Sequence, residues 1–281
     1  MSVDETSATT PDGLWSKAFA GATLDAMRSY DAILARLFTP WAHDLIGRVD
    51  PPRGCTALDV AAGPGTVAHI LAERIGRDGR VIAADISPAM LEIARAKPVA
   101  ENSAPIEWVE APAAPLPLPD DAVDIVTCQQ GLQFFPDKVA ALAEMRRALR
   151  PGGRAALAVW TRVEDQPFGY LRDAVAHVVS TEVAERYPGP FMLTGEAAAE
   201  HARAAGFENV DVQQVTLPAV LPGGAADLYG TLPAAGIAAD IAALDDAKRA
   251  ELLAEVARLT EPIRDGDALR TTMTASVLML S

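Results

Sequence analysis

The sequence predicts an α/β fold in which a mostly parallel sheet carries helices on both faces. Three observations carry that prediction. Between Thr56 and Trp160 short apolar runs alternate with amphipathic segments of helix length, the pattern of successive βαβ units. A turn containing Gly63 and Gly65 joins the first apolar run to the helix after it. An acidic residue, Asp85, closes the second run.

The elements follow in order. Residues 1–13 (MSVDETSATTPDG) are polar and acidic and read as disordered. From Leu14 to Val49, Leu24, Met27, Ile33, Leu34, Leu37, Phe38, Leu45 and Ile46 recur at helical spacing. Pro40 is expected to break this stretch into two helices, and Asp50–Gly54 is a turn cluster. Thr56–Ala61 is the first strand and Thr66–Ile75 a helix. Arg80–Ala84 is the second strand, and Pro88–Lys97 is a helix with Ser87 as N-cap. Ile106–Glu110 and Val123–Cys128 are the next strands. Lys138–Leu149 is a helix that Pro151-Gly152-Gly153 stops, and Arg154–Trp160 is the fifth strand. Further on, Phe168–Ser180 and Glu196–Ala205 read as helices, the second closed by Gly206. Val210–Leu217 is a strand, Pro218–Gly236 is rich in Pro, Gly and Ala, Ala247–Leu259 is a helix and Thr272–Leu280 a closing strand.

The chain has 281 residues, 50% hydrophobic and 22% charged, enough for a large core. With 24 basic against 38 acidic side chains the formal charge is −14, so nucleic acid and anionic membrane surfaces are poor partners. Two separated cysteines, Cys55 and Cys128, suggest a reducing compartment rather than a disulfide framework. There is no signal-peptide pattern and no run of about 18 apolar residues, so the expectation is a soluble, cytoplasmic protein.

The most informative segment is Leu58–Thr66, LDVAAGPGT. Gly63 and Gly65 would let a ligand approach backbone amides closely, and an acid placed as Asp85 is accepts hydrogen bonds from ribose hydroxyls. Gly63, Gly65 and Ala68 also satisfy the loose dinucleotide pattern G-x-G-x-x-A. Asp59 separates the readings. A carboxylate just upstream of the loop opposes a pyrophosphate and suits a ligand with a cationic amino acid portion.

LDVAAGPGT resembles motif I of class I S-adenosylmethionine-dependent methyltransferases, and Asp85–Leu91 (DISPAML) resembles the segment that follows it. Leu116–Asp120 with Val123–Val126, Gln129–Asp137 (QQGLQFFPD) and Arg146–Gly153 (RRALRPGG) resemble the later motifs, in order. The likeness covers Thr56–Trp160 and, more loosely, Ser29–Gly47. It points to small-molecule methyltransferases of the ubiquinone/menaquinone-biosynthesis type, with a methyltransferase type 11 domain.

The resemblance implies a Rossmann-like, seven-stranded, mostly parallel sheet whose last strand is antiparallel. Residues 14–50 would form a helical lid, 51–160 the cofactor-binding core, and 161–281 the rest of the sheet with caps over the acceptor, all in a single domain. It implies S-adenosylmethionine as cofactor, S-adenosylhomocysteine as product, and a small-molecule acceptor methylated on O, N or C. The cofactor would be held by Asp59, Ala61, Gly63, Gly65, Asp85, Ile86, Met90, Ala113, Gln129 and Gln130. One departure stands out: Ala111-Pro112-Ala113 replaces the family's Gly-Asp-Ala, so the carboxylate that meets the adenine amino group is missing at Pro112. Glu110 is a neighbouring substitute.

No general base is assigned. Tyr30, Asp31, His43, Gln130 and His177 are the candidates, while His69 and His201 read as structural or solvated. No metal-ligand spacing occurs. Two other functions stay open: use of S-adenosylmethionine for a non-methylating reaction (cyclase, decarboxylase or pericyclic catalyst), and a nicotinamide-dependent oxidoreductase. An exposed apolar lid helix would suit a homodimer.

Overall fold

In a computed structural model, residues 23–232 and 235–281 are described, apart from the side chains of Ala26, Ser29 and Tyr30. The stretch expected to be disordered, 1–13, and the start of the expected lid, 14–22, lie outside the described residues. The apolar runs pair into one sheet: β1 (Thr56–Val60), β2 (Arg80–Asp85), β3 (Ile106–Glu110), β4 (Val123–Gln129), β5 (Leu149–Trp160), β6 (Val210–Leu221), β7 (Arg264–Asp265) and β8 (Ala268–Leu280). Its order is β3-β2-β1-β4-β5-β8-β6, with β7 paired to β8. The first five strands are mutually parallel, and β8 runs antiparallel between β5 and β6. The expected seven-stranded arrangement is present, and two-residue β7 is an addition, a short hairpin partner for β8.

Helices α1 (Leu24–Val49), α2 (Thr66–Ile75), α3 (Pro88–Ala96), α4 (Lys138–Ala148), α5 (Phe168–Val178), α6 (Thr181–Arg186), α7 (Gly195–Ala204), α8 (Ala225–Tyr229), α9 (Ala238–Ala242) and α10 (Asp246–Leu259) complete the fold. Side-chain caps set several of their starts: Ser87 Oγ accepts from Met90 N–H, Asp137 Oδ1 from Ala140 N–H, and Asp245 Oδ1 from Lys248 N–H. β1, β2 and the Ala155–Trp160 part of β5 are buried with core on both faces, which explains why their sequences are near-continuous apolar runs.

Three expectations are corrected. Pro40 does not divide the first helix; α1 is continuous through it. Leu34, Leu37, Trp41, Ala42, Leu45, Ile46 and Val49 form one buried stripe spanning the proline, so tertiary packing holds both halves in line. Thr39 Oγ1 also donates to Ala35 O at 2.6 Å within that turn. Pro151-Gly152-Gly153 ends α4 but does not delay β5, which already pairs at Leu149. The register jumps between Leu149 and Arg154 opposite Val123 and Ile125, so the tripeptide is looped out. Arg150 Nη1 pins that loop to Asp124 Oδ1 at 2.7 Å. Strand β6 continues through Pro218, which an edge strand tolerates because one side of its backbone needs no partner.

Chain order reverses between β1 and β4. From β1 the chain moves outward through β2 and β3, and from β4 it moves the other way through β5. Such a switch point opens a crevice at the carboxyl ends of the strands. Helix α1 lies beside it, anchored by Trp41, which is buried and meets Trp160 edge-on at 5.4 Å between ring centres. Both cysteines are buried and free.

Candidate functional site

Two cavities of about 160 Å³ each occupy the crevice and share Ala61, Asp85, Ile86 and Phe135. The first is lined from the strand ends by Asp59, Asp85, Gln129, Gln130 and Trp160, and from α1 by Asp31, Leu34, Ala35 and Phe38. Gly63, Thr66, Val67, Met90 and Phe134 also line it. The second lies beyond Ile86 and is bounded by Ala111–Ala114 and by Phe135–Asp137.

Asp59 is buried in β1, where Thr127 Oγ1 of β4 donates to its Oδ1 at 2.8 Å. Among the described residues its Oδ2 has no hydrogen-bond partner. Burial pushes this carboxyl up to about 7, the charge of Asp85 adds to the shift, and the Thr127 hydrogen bond opposes it. Asp85, at the end of β2, accepts from Gly63 N–H at 2.7 Å and from Ser87 N–H at 2.8 Å. Burial raises its pKa too, against those amide bonds. Two acids therefore stand at adjacent strand ends in a region with no lining Lys, Arg or His among the described residues. The arrangement suits a cation.

The two glycines of the turn have different work. Among the described residues a Cβ on Gly63 (φ 54°) would meet nothing within 4 Å, so its face is open toward the cavity it lines. A Cβ on Gly65 (φ 81°) would stand 2.7 Å from Trp108 Cη2 and 3.0 Å from Ala94 Cβ. Gly65 therefore serves helix–sheet packing, and it does not line either cavity. Ala61 and Gln130 are non-glycine residues with φ of 56° and 55°, and both border the cavity. Left-handed backbone at such residues costs about 1–3 kcal/mol and gathers at functional sites.

Of the residues singled out from sequence, Asp59, Ala61, Gly63, Asp85, Ile86, Met90, Gln129 and Gln130 line the first cavity and Ala113 the second. Ile86 is 45% exposed, unusual for isoleucine, and stands where the cavities meet. Gln130 is buried, and among the described residues neither of its amide atoms has a hydrogen-bond partner. Gln129 Nε2 donates to Phe38 O of α1 at 3.1 Å. Glu110 lines neither cavity, and Asp137 borders the second. His43 is exposed on α1, and His177 Nδ1 pairs with Glu255 Oε1 at 2.7 Å, so the fold brings neither to the crevice. The Tyr30 side chain lies outside the described residues. Sequence reasoning missed Leu34, Phe38, Thr127 and Trp160 as site residues. Leu34 and Phe38 sit in an ordinary helical stripe; only Thr127, a polar residue within the apolar run of β4, carried a signal. Among the described residues no group of His, Cys, Asp and Glu is placed to hold a metal ion. No described helix is long and apolar enough to cross a membrane.

Residues 23–179 match the ubiE/COQ5 methyltransferase family. The chain is 31% identical over 194 residues to the ubiquinone/menaquinone biosynthesis C-methyltransferase of Francisella philomiragia, spanning 63% of this chain and 76% of that one. It is 36% identical over 130 residues to a 2-phytyl-1,4-naphtoquinone methyltransferase of Thermosynechococcus vestitus, spanning 46% and 57%. Among solved structures, a Haemonchus contortus phosphoethanolamine N-methyltransferase with S-adenosylhomocysteine bound superposes with a TM-score of 0.58 at 16% identity, covering 97% of this chain and 60% of that one. The [4+2]-cyclase SpnF gives 0.53 at 22% identity, covering 86% and 81%. Both structural likenesses are likenesses of fold.

Proposed function

The chain belongs to the ubiE/COQ5 methyltransferase family and is an enzyme of S-adenosylmethionine-dependent methyl transfer to a small molecule; from that premise we propose that its acceptor is a planar, largely apolar hydroxyaromatic of the hydroquinone type, methylated at a ring carbon. The observation that carries this reading is the wall of the first cavity. Leu34, Phe38, Phe134 and Trp160 face a crevice floored by strand ends. Such a slot fits a flat ring, and it offers no cationic side chain among the described residues for a phosphate or carboxylate. One relative is named as a ubiquinone/menaquinone biosynthesis C-methyltransferase and another as a 2-phytyl-1,4-naphtoquinone methyltransferase, which supports this reading.

The residues present fit the cofactor. Asp59, with Oδ2 unpartnered, would receive the methionyl ammonium, and open-faced Gly63 would let the amino acid portion approach the backbone. Asp85 retains lone pairs beyond the two amides it already accepts from, enough for ribose hydroxyls. Ile86 and Met90 would pack on the adenine, whose edge would meet the Ala113 main chain in the second cavity. Ala61, Gln129 and Gln130 would border the methionyl portion, and Gly65 would set the turn from behind. A dinucleotide would instead set its pyrophosphate against Asp59, which disfavours nicotinamide chemistry.

When bound, S-adenosylmethionine supplies an electrophilic methyl group on a positively charged sulfur, and leaves as S-adenosylhomocysteine. The chain contributes alignment and exclusion of water. Helix α1 covers the crevice, tied to β4 by the Gln129–Phe38 bond, and Phe38 packs on Trp160 at 5.6 Å. Holding the two reactants in line removes much of the entropic barrier to their encounter.

The test is incubation with S-adenosylmethionine and 1,4-naphthohydroquinone under reducing conditions, with product mass and NMR as readouts. The expected product carries one added methyl group, on carbon. A methyl on oxygen would overturn the ring-carbon assignment. No binding of S-adenosylhomocysteine in calorimetry would overturn the site itself.

A further inference from the structure

Three carboxylates line the first cavity, and the cofactor assignment above uses two of them, Asp59 and Asp85. Asp31 is the third. It comes from the opposite side, on α1, together with the apolar residues Leu34 and Phe38 that cover the crevice. Lys97 Nζ, just beyond α3, donates to Asp31 Oδ1 at 2.8 Å, and the carboxylate side chain is only 16% exposed. Asp31 Oδ2 accepts no hydrogen bond among the described residues. No His, Lys, Cys or Tyr lines this cavity among the described residues. Among the described residues, a proton leaving an acceptor here therefore meets one titratable side chain not already engaged by the cofactor.

We propose that Asp31 is the general base for the acceptor, taking the hydroxyl proton through Oδ2 while Lys97 fixes the carboxylate in place. The proposal rests on the hydroxyaromatic reading given above. In the step, the O–H proton passes to Asp31 as electron density moves into the ring. The ring carbon forms its bond to the methyl group, and the electron pair of the S–CH3 bond returns to sulfur. The proton on the methylated carbon then leaves to water, and Asp31 returns its proton to the ring oxygen, restoring the aromatic hydroxyl. One proton is released in all, which balances the positive charge lost at sulfur. A hydroxyl or ring-carbon nucleophile needs such a base, whereas a free amine does not.

The test compares Asp31→Asn, Lys97→Met and Asp31→Ala on the full chain, with 1,4-naphthohydroquinone as acceptor. Asp31→Asn should lower kcat by about 10²–10⁴-fold, the usual worth of a positioned base. Its affinity for S-adenosylhomocysteine, and that of the resulting complex for the hydroquinone, should each stay within about threefold by calorimetry, since no ground-state contact of the cofactor is removed. Lys97→Met breaks the clasp but keeps the base, so its kcat should fall by less than about tenfold. Added formate should restore part of the rate of Asp31→Ala and none of that of Lys97→Met. Equal losses in Asp31→Asn and Lys97→Met, without formate rescue, would reduce Asp31 to a lid clasp and overturn the proposal. So would a wild-type protein that binds S-adenosylhomocysteine but leaves the hydroquinone unmethylated. A wild-type protein that binds no S-adenosylhomocysteine would instead remove the cofactor reading beneath it.

Discussion

Replacing Asp59 by Asn should stabilise the ligand-free protein above neutral pH while weakening cofactor binding, two effects of opposite sign from one buried atom. The folded-state pKa of Asp59 is raised from 3.8 to about 7, chiefly by burial. An acid whose folded pKa lies above its unfolded value binds a proton more tightly when folded. Its contribution to stability is therefore greatest below pH 3.8 and falls as pH rises toward 7. Integrated over that window, ionised Asp59 costs up to about 4 kcal/mol at pH 8. Asn keeps the bond from Thr127 but leaves its own NH2 unpartnered where Oδ2 was, at a cost of about 1–3 kcal/mol. Asn should therefore gain about 1–3 kcal/mol at pH 8 relative to wild type, and that advantage should shrink by up to about 4 kcal/mol toward pH 4. Each kcal/mol is worth about 2–4 °C in a chain of this size, within the resolution of scanning calorimetry at several pH values. Removing a charge-assisted bond to the methionyl ammonium should weaken S-adenosylhomocysteine binding about 10–100-fold at pH 8. A stability difference that stays constant across this pH range would refute the buried-carboxylate reasoning. Unchanged cofactor affinity would refute the ammonium assignment.

The two turn glycines should separate in the same way. Gly63→Ala places a methyl on the open face, so stability should drop by only about 1 kcal/mol from its left-handed φ while cofactor affinity is lost. Gly65→Ala drives a methyl against Trp108 and Ala94, and the main loss, about 1–3 kcal/mol, should appear in urea unfolding. Pro40→Ala restores an N–H inside α1 and should raise stability by about 1–3 kcal/mol in the same assay. Asp85→Asn should leave the protein folded but weaken S-adenosylhomocysteine binding about tenfold or more in calorimetry. The amide is a poorer acceptor for ribose hydroxyls and one of its two atoms faces Gly63 or Ser87 N–H as a donor.

How far the site was legible varied residue by residue. That Asp59, Gly63 and Asp85 share one cavity was readable because a strand–turn–helix unit brings these residue types together at short, fixed chain separations. Ser87 as a cap was readable because its partner, Met90, is three residues away. His43 and His177 illustrate the opposite case. Their residue type suggested chemistry, but what matters is which side of a helix faces the crevice, and that was not encoded locally. Thr127 lies 68 residues from Asp59 yet donates its closest hydrogen bond. Asp31 and Lys97, separated by 66 residues, meet only because α1 folds back beside α3.

The sequence by itself determined the α/β class, the alternation of strands and helices, the turn that opens toward a ligand and the two acids beside it. These are consequences of periodicity, backbone conformation and spacing, all of which act within about 30 residues of chain in a βαβ unit. Only the tertiary structure decided that α1 runs unbroken through Pro40, that β5 resumes pairing around a looped-out Pro-Gly-Gly, and which side chains of α1 line the cavity. Packing against a distant surface can outweigh a local penalty of a few kcal/mol, because a buried helical stripe contributes more than one proline costs. Contacts made across the fold leave no trace in local pattern, and the α1 side of this cavity is made of such contacts.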